Sequence, residues 1–555
     1  MRREIILSLA ISAAALGAAA EDAPIIQDAE FYILQAQHAE QWAEDDAAVD
    51  QMLADFREQN DGKPPNILNI LIDDVGFGDL GIPELNAIRG YETPNINQFS
   101  DEGMRMSRFY TEPSCTPTRV AQMTGRFPAR QGMGDTAVDI AGFGLRGDEV
   151  ILPEVLSEAG YATRHVGKWH MGDIEQSWPQ NNGFDWAAFP IHQQGQLSIF
   201  NDDGIKEGVV VGNRDHDAKY MLDAFFRPDS STMVTGVEAA KGEKAREVHM
   251  EAGERWTAKK YDEMNQRYQD QTIESLNVLA KGDKPFFLQY WPLLPLHNTR
   301  STRDGYDSAN GGLYVEKMQQ LDAWMGEIFA ELDKLGLAEN TIVLFSGDNG
   351  HFTKYSPQSG FSAMIFRGGK ADTTEGGIRV DAFIRWPGMI KADGIVNNMF
   401  HVSDMYQTLI RFAGATHLIP RDRIIDSIDQ SASLLFADAG KGRRDSLIVY
   451  SDVVPEAIIK DQLKLKVPPK GENPIGAKFY NLYWDTREEY PISTEVGAWG
   501  GQEMVRVLGR HLARKQLYPD VEHATGIPYE GIENLRPETI KAVDAWKIKR
   551  AAVQK

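Results

Sequence analysis

Residues 66–74 read Asn-Ile-Leu-Asn-Ile-Leu-Ile-Asp-Asp, an almost continuous apolar run that ends in two carboxylates. A short apolar run without alternation is typical of a β-strand that is buried on both faces. Residues 341–350 repeat this arrangement, because Thr-Ile-Val-Leu-Phe-Ser is followed by Gly-Asp-Asn-Gly. The pattern predicts an α/β protein with a large mixed, mostly parallel sheet sandwiched by helices.

Polar residues follow both of these predicted strands. In open α/β sheets, functional sites lie beyond the carboxyl ends of the strands, so Asp73, Asp74, Asp348 and Asn349 are expected to converge there. Oxygen donors without a thiolate or histidine favour Ca²⁺ or Mg²⁺ over zinc. The alternative is that Asp-Asp caps a loop and Asp-Asn-Gly makes a turn, and the dipeptides alone leave it open.

The chain contains a single cysteine, Cys115, within Ser-Cys-Thr-Pro-Thr-Arg at residues 114–119. Thr116 is a candidate helix cap and Pro117 a candidate first helical residue, which would place the thiol at the positive end of a helix. Arg119 follows one helical turn later on the same face. A lone cysteine often acts as a small buried hydrophobe, but its polar neighbours do not form an apolar face.

Basic side chains occur in three further motifs. Lys168 and His170 lie in Gly-Lys-Trp-His-Met-Gly, where alternation places them on one side of an extended chain. His297 ends Leu-Pro-Leu-His, and Lys370 ends Arg-Gly-Gly-Lys. A lone histidine is usually a hydrogen-bonded structural group and a lone lysine a solvated charge, so each motif is weak evidence by itself.

Taken together, these motifs resemble those of type I sulfatases in the alkaline phosphatase superfamily. The resemblance rests on motifs that occur in the family's order. They are Asp-Asp-x-Gly-x-Gly-Asp at 73–79, Cys-x-Pro-x-Arg with Thr-Gly-Arg at 115–126, Gly-Lys-Trp-His-x-Gly at 167–172, Gly-Asp-Asn at 347–349 and Glu-Gly-Gly-Ile-Arg-Val at 375–380. The His297 segment departs from the pattern, because Leu296 separates the proline from the histidine.

The resemblance implies a sulfuric ester hydrolase of arylsulfatase type, in which Cys115 is oxidised after translation to formylglycine. It implies one divalent cation, with Ca²⁺ expected and Mg²⁺ as the alternative. The implied metal ligands are Asp73, Asp74, Cys115, Asp348 and Asn349. The implied catalytic residues are Cys115, Arg119, Lys168, His170, His297 and Lys370.

Hydrolysis of a sulfate monoester requires a nucleophile, counter-charge for the oxygens and an acid for the leaving group. Arg119, Lys168 and Lys370 would hold the sulfate, while His297 or Lys370 protonates the departing oxygen. His170 would take the proton that lets sulfate leave as the aldehyde returns. A formylglycine-generating or sulfatase-maturating enzyme is then a required partner, and the substrate is a small aryl or carbohydrate sulfate.

Two other functions stay open at this point. Related enzymes use the same aldehyde and metal on phosphonate monoesters or phosphodiesters, and a non-catalytic metal-binding protein could share the scaffold. The net charge of −23 argues against nucleic acid, because a phosphate backbone requires a basic surface. A homo-oligomer stays open as well.

The N-terminus predicts export. Arg2 and Arg3 precede an apolar run at 5–16 and Ala-Ala-Ala at 18–20, which is typical of a cleaved secretory signal over residues 1–20. The run is too short to span a membrane, and no other segment reaches that length. The mature protein is therefore expected to be periplasmic or secreted.

The remaining chain divides into three predicted parts. An acidic, helix-prone arm is expected to lie against the main domain or between subunits. Short strands near the C-terminus predict a smaller antiparallel-sheet subdomain. The predicted parts are the arm at 21–62, the catalytic α/β domain at 63–440 and the C-terminal α+β subdomain at 441–555.

Overall fold

The computed structural model describes residues 24–88, 90–135, 142–190, 234–249, 258–294, 312–351, 365–467, 477–492 and 494–527. The predicted signal peptide and His297 lie outside these described residues. No helix within the described ranges is long and apolar enough to cross a membrane.

The regular elements are numbered in chain order. The described helices are α1 (Ala29–Gln59), α2 (Pro83–Ile88), α3 (Pro94–Asp101), α4 (Cys115–Thr124), α5 (Leu152–Glu158), α6 (Ala258–Leu279), α7 (Gly312–Lys334), α8 (Glu375–Ile378), α9 (Asp404–Ala413), α10 (Ser431–Phe436) and α11 (Thr494–Leu517). The described strands are β1 (Asn66–Ile72), β2 (Met104–Tyr110), β3 (Phe143–Gly144), β4 (Ala162–Gly167), β5 (Trp186–Phe189), β6 (Val234–Ala240), β7 (Arg246–His249), β8 (Phe286–Trp291), β9 (Thr341–Gly347), β10 (Arg379–Val380), β11 (Ala382–Arg385), β12 (Gly394–His401), β13 (Ser446–Ser451), β14 (Val454–Lys460), β15 (Leu463–Lys466), β16 (Lys478–Asn481) and β17 (Ala524–Thr525).

One large mixed sheet organises the molecule. Among the described strands, eleven join it in the order β10-β2-β11-β9-β1-β8-β4-β5-β6-β7, with β12 beside β2. Its centre, β9-β1-β8-β4-β5, is parallel. The flanking pairs β11–β9, β5–β6 and β6–β7 are antiparallel. The predicted α/β fold class is therefore confirmed.

Strand β1 lies at the centre and is buried along its whole length. Ile67 and Leu71 pack into one apolar core, which α4, α5 and α9 line. Leu68, Ile70 and Ile72 pack into the core on the other side, which α3, α6 and α7 line. Each such side chain contributes about 1.5–3 kcal/mol of burial free energy. Apolar contact on both faces explains the unbroken apolar run.

The C-terminal region adds a small antiparallel sheet in the order β13-β14-β15-β16. Leu447 and Ile458 from this sheet share a third apolar core with Val507 of α11. Tyr110 of β2 and Ile378 of α8 belong to the same core, so the small sheet packs on the main one. The expected smaller sheet is present, whereas the domain boundary at residue 441 stays a prediction.

Helix α1 lies against the main domain. Val49 is buried in the first core, and Phe56 packs edge-on against Trp386 with ring centroids 4.8 Å apart. Asp46 pairs with Arg411 at 2.8 Å. The helix falls within the predicted arm, whose limits at 21 and 62 stay a prediction.

Candidate active site

Four polar residues lie at the shared carboxyl edge of β1 and β9. The two strands are parallel and in register, so Asp73 and Asp74 meet Asp348 and Asn349. The Asp74 amide donates to the Asp348 carboxylate at 2.9 Å, and the Asn349 side-chain amide donates to the Asp74 carboxylate at 2.6 Å. All four side chains belong to residues at most 2% exposed. The convergence that the strand ends predict is present.

Helix α4 brings Cys115 to the same edge. The helix begins at Cys115 itself with Ser114 at the N-cap, so the prediction that Thr116 caps it is wrong. Pro117 is the third helical residue, and a proline is tolerated anywhere in the first turn because those amides lack intrahelical partners. The Cys115 Sγ lies 3.6 Å from Asp74 Oδ1.

Arg119 is fully buried one turn after Cys115. Its guanidinium donates to the Asp348 carboxylate at 2.7 Å and to the Lys168 carbonyl at 3.1 Å. The same group stacks over the Trp291 ring, 4.7 Å from the centroid. These contacts fix the guanidinium in one orientation. Sequence analysis alone does not single out Trp291, and the available signal is its place at the end of β8.

Lys168 follows β4 and reaches across the edge to Asp73, with 2.6 Å between Nζ and Oδ1. Its backbone amide donates to the Trp291 carbonyl at 2.8 Å. The preceding Gly167 has φ 99°, and a Cβ there would lie 2.1 Å from the Trp291 carbonyl oxygen. Only glycine permits this close approach, which explains the glycine before the lysine.

Lys370 completes the group from the opposite side. Its Nζ lies 2.8 Å from Cys115 Sγ and 3.0 Å from the Asp74 carboxylate. Its backbone amide donates to the His351 carbonyl at 2.9 Å, directly after the Asp348 segment. The side chain therefore contacts both the candidate nucleophile and a candidate metal ligand.

Three residues at the site have positive φ although none is glycine. Asp74 has φ 55°, His170 has φ 58° and Ala371 has φ 68°. Such conformations are uncommon for residues with a Cβ and are concentrated at functional sites. The surrounding contacts therefore hold this backbone in place.

The donor set fits a hard divalent cation. Asp73, Asp74, Cys115 and Asp348 each offer one ligand atom, and these atoms lie within 4.8 Å of one another. Asn349 Oδ1 is buried and has no hydrogen-bond partner among the described residues, so it is available to a cation. Carboxylate and amide oxygens are the donors that Ca²⁺ and Mg²⁺ prefer. The cluster therefore fits a metal site.

Burial raises the pKa of the Cys115 thiol to about 12. Lys168 and Lys370 oppose this shift, while Asp74 and Asp348 add to it. The position at a helix N-terminus would favour a thiolate, but loss of hydration outweighs it. Unmodified Cys115 is thus a protonated thiol and a poor nucleophile.

The pKa values of Lys370 and His170 are also shifted. Burial alone would lower the pKa of Lys370, but Asp74 and the other acidic groups raise it well above its usual value, so Lys370 is an ammonium. Burial and then Lys168, Arg119 and Lys370 lower the pKa of His170 well below its usual value, so His170 is neutral. The site thus offers a charged donor and an uncharged base.

The structure places most of the predicted site residues together. The residues joined by the contacts above are Asp73, Asp74, Cys115, Arg119, Lys168, Asp348, Asn349 and Lys370. His170 follows Lys168 by two residues and is electrostatically coupled to it. His165, which lies outside this group, has Nε2 3.0 Å from the Gly167 carbonyl, and burial lowers its pKa to about 3.

The Sulfatase family model matches residues 65–415 of this chain. The N-acetylgalactosamine-6-sulfatase of Mus musculus is 32% identical over 385 residues, which cover 67% of this chain and 66% of that protein, just under two thirds. Arylsulfatase A of Homo sapiens is 32% identical over 408 residues, which cover 70% of this chain and 71% of that protein.

Solved structures are similar over most of the chain. The PsFucS1 sulfatase from Pseudoalteromonas sp. is 26% identical with a TM-score of 0.74, over 87% of this chain and 96% of that one. The phosphonate monoester hydrolase of Agrobacterium radiobacter is 15% identical with a TM-score of 0.51, over 80% of this chain and 96% of that one. The latter likeness concerns the fold alone.

Proposed function

The chain belongs to the sulfatase family, and from this premise we propose that it is a sulfuric ester hydrolase of arylsulfatase type. Its substrate would be a small aryl or carbohydrate sulfate monoester. The observation that carries the proposal is that three buried cations surround the carboxylate cluster at Cys115. Arg119 pairs with Asp348, Lys168 pairs with Asp73, and Lys370 contacts Cys115 itself. A dianion-like transition state with charged oxygens needs such fixed positive groups.

We propose that Cys115 is oxidised to formylglycine in the mature protein. When formed, the hydrated aldehyde supplies one hydroxyl that attacks sulfur and a second that lets sulfate leave. The raised pKa of the unmodified thiol supports the proposal, because a protonated Cys115 would be a poor nucleophile at neutral pH. A formylglycine-generating or sulfatase-maturating enzyme is the required partner.

The proposed cation is Ca²⁺, with Mg²⁺ as the alternative. When bound, it supplies positive charge to the reacting oxygens and lowers the pKa of a hydroxyl group. Asp73, Asp74, Asp348 and Asn349 would hold it together with the modified residue 115. These ligands are all oxygen donors after the modification, which agrees with a hard cation.

The side chains of the site would bind the sulfate group and transfer protons. Arg119 is fixed by Asp348, the Lys168 carbonyl and Trp291, so it holds sulfate oxygens without reorganisation. Lys370 is charged, and its Nζ lies 2.8 Å from Cys115 Sγ, so it is placed to donate a hydrogen bond or a proton to an oxygen of the sulfate ester. The neutral His170 can accept the proton that accompanies sulfate release.

Several parts of the proposal rest on sequence alone. His297 shares with Lys370 the proposed protonation of the leaving group, and it lies outside the described residues. Export to the periplasm or the medium rests on the pattern in residues 1–20, which also lie outside them. The phosphonate and phosphodiester alternative enters the test below as a competing substrate class.

The test is to coexpress the full chain with a formylglycine-generating enzyme and to measure peptide mass and hydrolysis together. We expect the Cys115 peptide to be about 18 Da lighter, because a thiol becomes an aldehyde. We also expect 4-nitrophenyl sulfate to be hydrolysed faster than phenylphosphonate esters or phosphodiesters. EGTA should abolish the activity and Ca²⁺ should restore it, with Mg²⁺ restoring less.

The matched control is the same chain expressed without the maturation enzyme. A preparation that hydrolyses sulfate while Cys115 remains entirely a thiol would contradict the proposed nucleophile. Faster hydrolysis of the phosphonate would select the alternative activity. Cation binding without hydrolysis of any of these esters would identify a non-catalytic metal-binding protein.

A further inference from the structure

The segment that carries Lys370 is a compact loop, here called the Lys370 loop (residues 367–377). Its two ends are joined, because the Gly376 amide donates to the Arg367 carbonyl at 2.9 Å. A Cβ at Gly376 would lie 2.4 Å from that carbonyl oxygen, so the ends touch as closely as glycine allows. The position of the Lys370 ammonium therefore depends on what holds the ends of this loop.

Two residues of the C-terminal region together hold both ends. Lys464 of β15 is fully buried, and its Nζ lies 3.3 Å from Glu375 Oε1 and 3.1 Å from Glu488 Oε1. The Glu488 carboxylate accepts a hydrogen bond from the Glu375 amide at 2.6 Å. The Glu488 carbonyl accepts a second one from the Arg367 guanidinium at 2.7 Å. We call Lys464 and Glu488 the clamp.

The clamp is a buried ionic cluster that tolerates little displacement. Glu375 also accepts a hydrogen bond from the Tyr110 hydroxyl at 3.0 Å and pairs with Arg379 at 3.5 Å. The carboxylates of Glu375 and Glu488 thus balance the positive charges of Lys464 and Arg379. Removal of one of these side chains leaves an uncompensated buried charge. Glu488 holds φ 53°, which a residue with a Cβ adopts only where its surroundings enforce it.

We propose that Lys464 and Glu488 are positioning residues, through which the C-terminal region sets the place of the Lys370 ammonium against residue 115. Neither clamp residue is among the groups that contact Cys115. Their effect is exerted through the Lys370 loop, whose lysine Nζ lies 2.8 Å from Cys115 Sγ. The inference rests on the proposed function in that Lys370 acts on the ester.

The first measurement is structural and does not depend on activity. A crystal structure of the Lys464→Met protein should show the Lys370 Nζ displaced beyond hydrogen-bond distance from residue 115. Glu488→Gln keeps an oxygen acceptor for the Glu375 amide, so a smaller displacement is expected. If either variant crystallises with the Lys370 loop unmoved, the clamp is not a positioning device.

The second measurement is a double-mutant cycle on the matured enzyme. Lys464→Met should lower kcat by about 10- to 100-fold, because a misplacement of about 1 Å can cost that much. In a Lys370→Ala background the same substitution should lower kcat by less than about 3-fold, because residues that act as a unit are not additive. Equal losses in both backgrounds would mean general structural damage and would overturn the inference.

The matched control is Lys317→Met, which removes another poorly exposed, paired lysine. Lys317 of α7 pairs with Asp262 at 2.7 Å, and its loss should leave kcat unchanged. If Lys464→Met fails to fold, Glu488→Gln carries both measurements. A wild-type enzyme without sulfate hydrolysis would refute the proposed function, while the crystal structures would still decide the clamp.

Discussion

Two of the buried ionic clusters among the described residues differ in their electrostatics: one lies at the active site, and the other lies at the junction where α1, α11 and the main domain meet. In the second, Arg130 makes a two-point pair with Asp426, at 2.7 Å for each contact, and also bonds Asp28 at 3.0 Å. Asp28 in turn contacts His511, which contacts Tyr450. Both clusters are buried, yet their electrostatics are opposite.

At the junction, burial alone would raise the pKa of Asp28, but His511 and Arg130 lower it below its usual value. At the active site, burial and then Asp73 raise the pKa of Asp348 even though Arg119 opposes this. A carboxylate that is surrounded by hydrogen-bond donors and positive charges stabilises the folded state. Carboxylates that lie close to one another repel, and a bound cation can remove that repulsion. Stability and function are thus built from the same residue types in different proportions.

The largest expected effect that would test this contrast comes from Cys115→Ser, purified as the serine form and compared with the matured wild-type enzyme. Serine supplies one hydroxyl and cannot return to an aldehyde, so multiple turnover should fall by a factor on the order of 10⁴ or more. Thermal unfolding should change little, because the side chains are similar in size. Burst and steady-state assays with 4-nitrophenyl sulfate check this, and wild-type turnover would sink the formylglycine proposal.

The next effect is on stability. Asp426→Ala should lower the free energy of unfolding by about 3–5 kcal/mol, because the buried Arg130 guanidinium loses its two-point partner and keeps the contact with Asp28 at 3.0 Å. The kcat of the folded fraction should not change. The control is Arg146→Ala, which breaks an exposed pair with Asp148 and should cost less than about 1 kcal/mol. If urea titrations gave the same loss of unfolding free energy for both variants, the buried pair at the junction would be no more stabilising than the surface pair.

The smallest effect, taken for one pH unit, concerns Glu112, which precedes α4 and is electrostatically affected by Asp426 of the junction. Burial, and then Asp426, raises its pKa to about 8 from 4.5, and it lies 3.6 Å from His401. A raised carboxyl pKa favours the folded state below the unfolded pKa, and this contribution is lost as pH rises from 4.5 to 8. The loss is about 1.4 kcal/mol per pH unit in that window.

Urea unfolding at several pH values between 5 and 8 checks this prediction. Glu112→Gln cannot ionise, so its stability relative to the wild type should improve steadily as pH rises. Parallel pH dependences for the two proteins would show that Glu112 does not titrate in this window. The free energy of unfolding would then contain no pH-dependent contribution from Glu112 in this window.

Much of the site could be predicted because its residues follow directly from strand ends. Parallel strands in register bring Asp73 and Asp348 together, so a local pattern was enough to place them. The N-cap residue of α4 was harder to predict from the sequence, because Pro117 is compatible with several positions in the first turn of a helix. That prediction was wrong by the choice of Thr116 over Ser114.

Other contacts have no local signal. Lys464 lies in a short strand of ordinary composition, and only tertiary packing brings it to Glu375, 89 residues earlier. The contact of Asp28 with His511 spans 483 residues. Such pairs depend on how distant elements dock, which neither periodicity nor spacing records.

The complete burial of Cys115 has a consequence for the order of events in the cell. The residue is 0% exposed, enclosed by α4, the edge of β1 and the Lys370 loop. If Cys115 is oxidised as proposed, the enzyme that oxidises this thiol would have to meet the chain before the fold closes. Maturation and folding would then be in kinetic competition, and a chain that folds first would be locked in the thiol form.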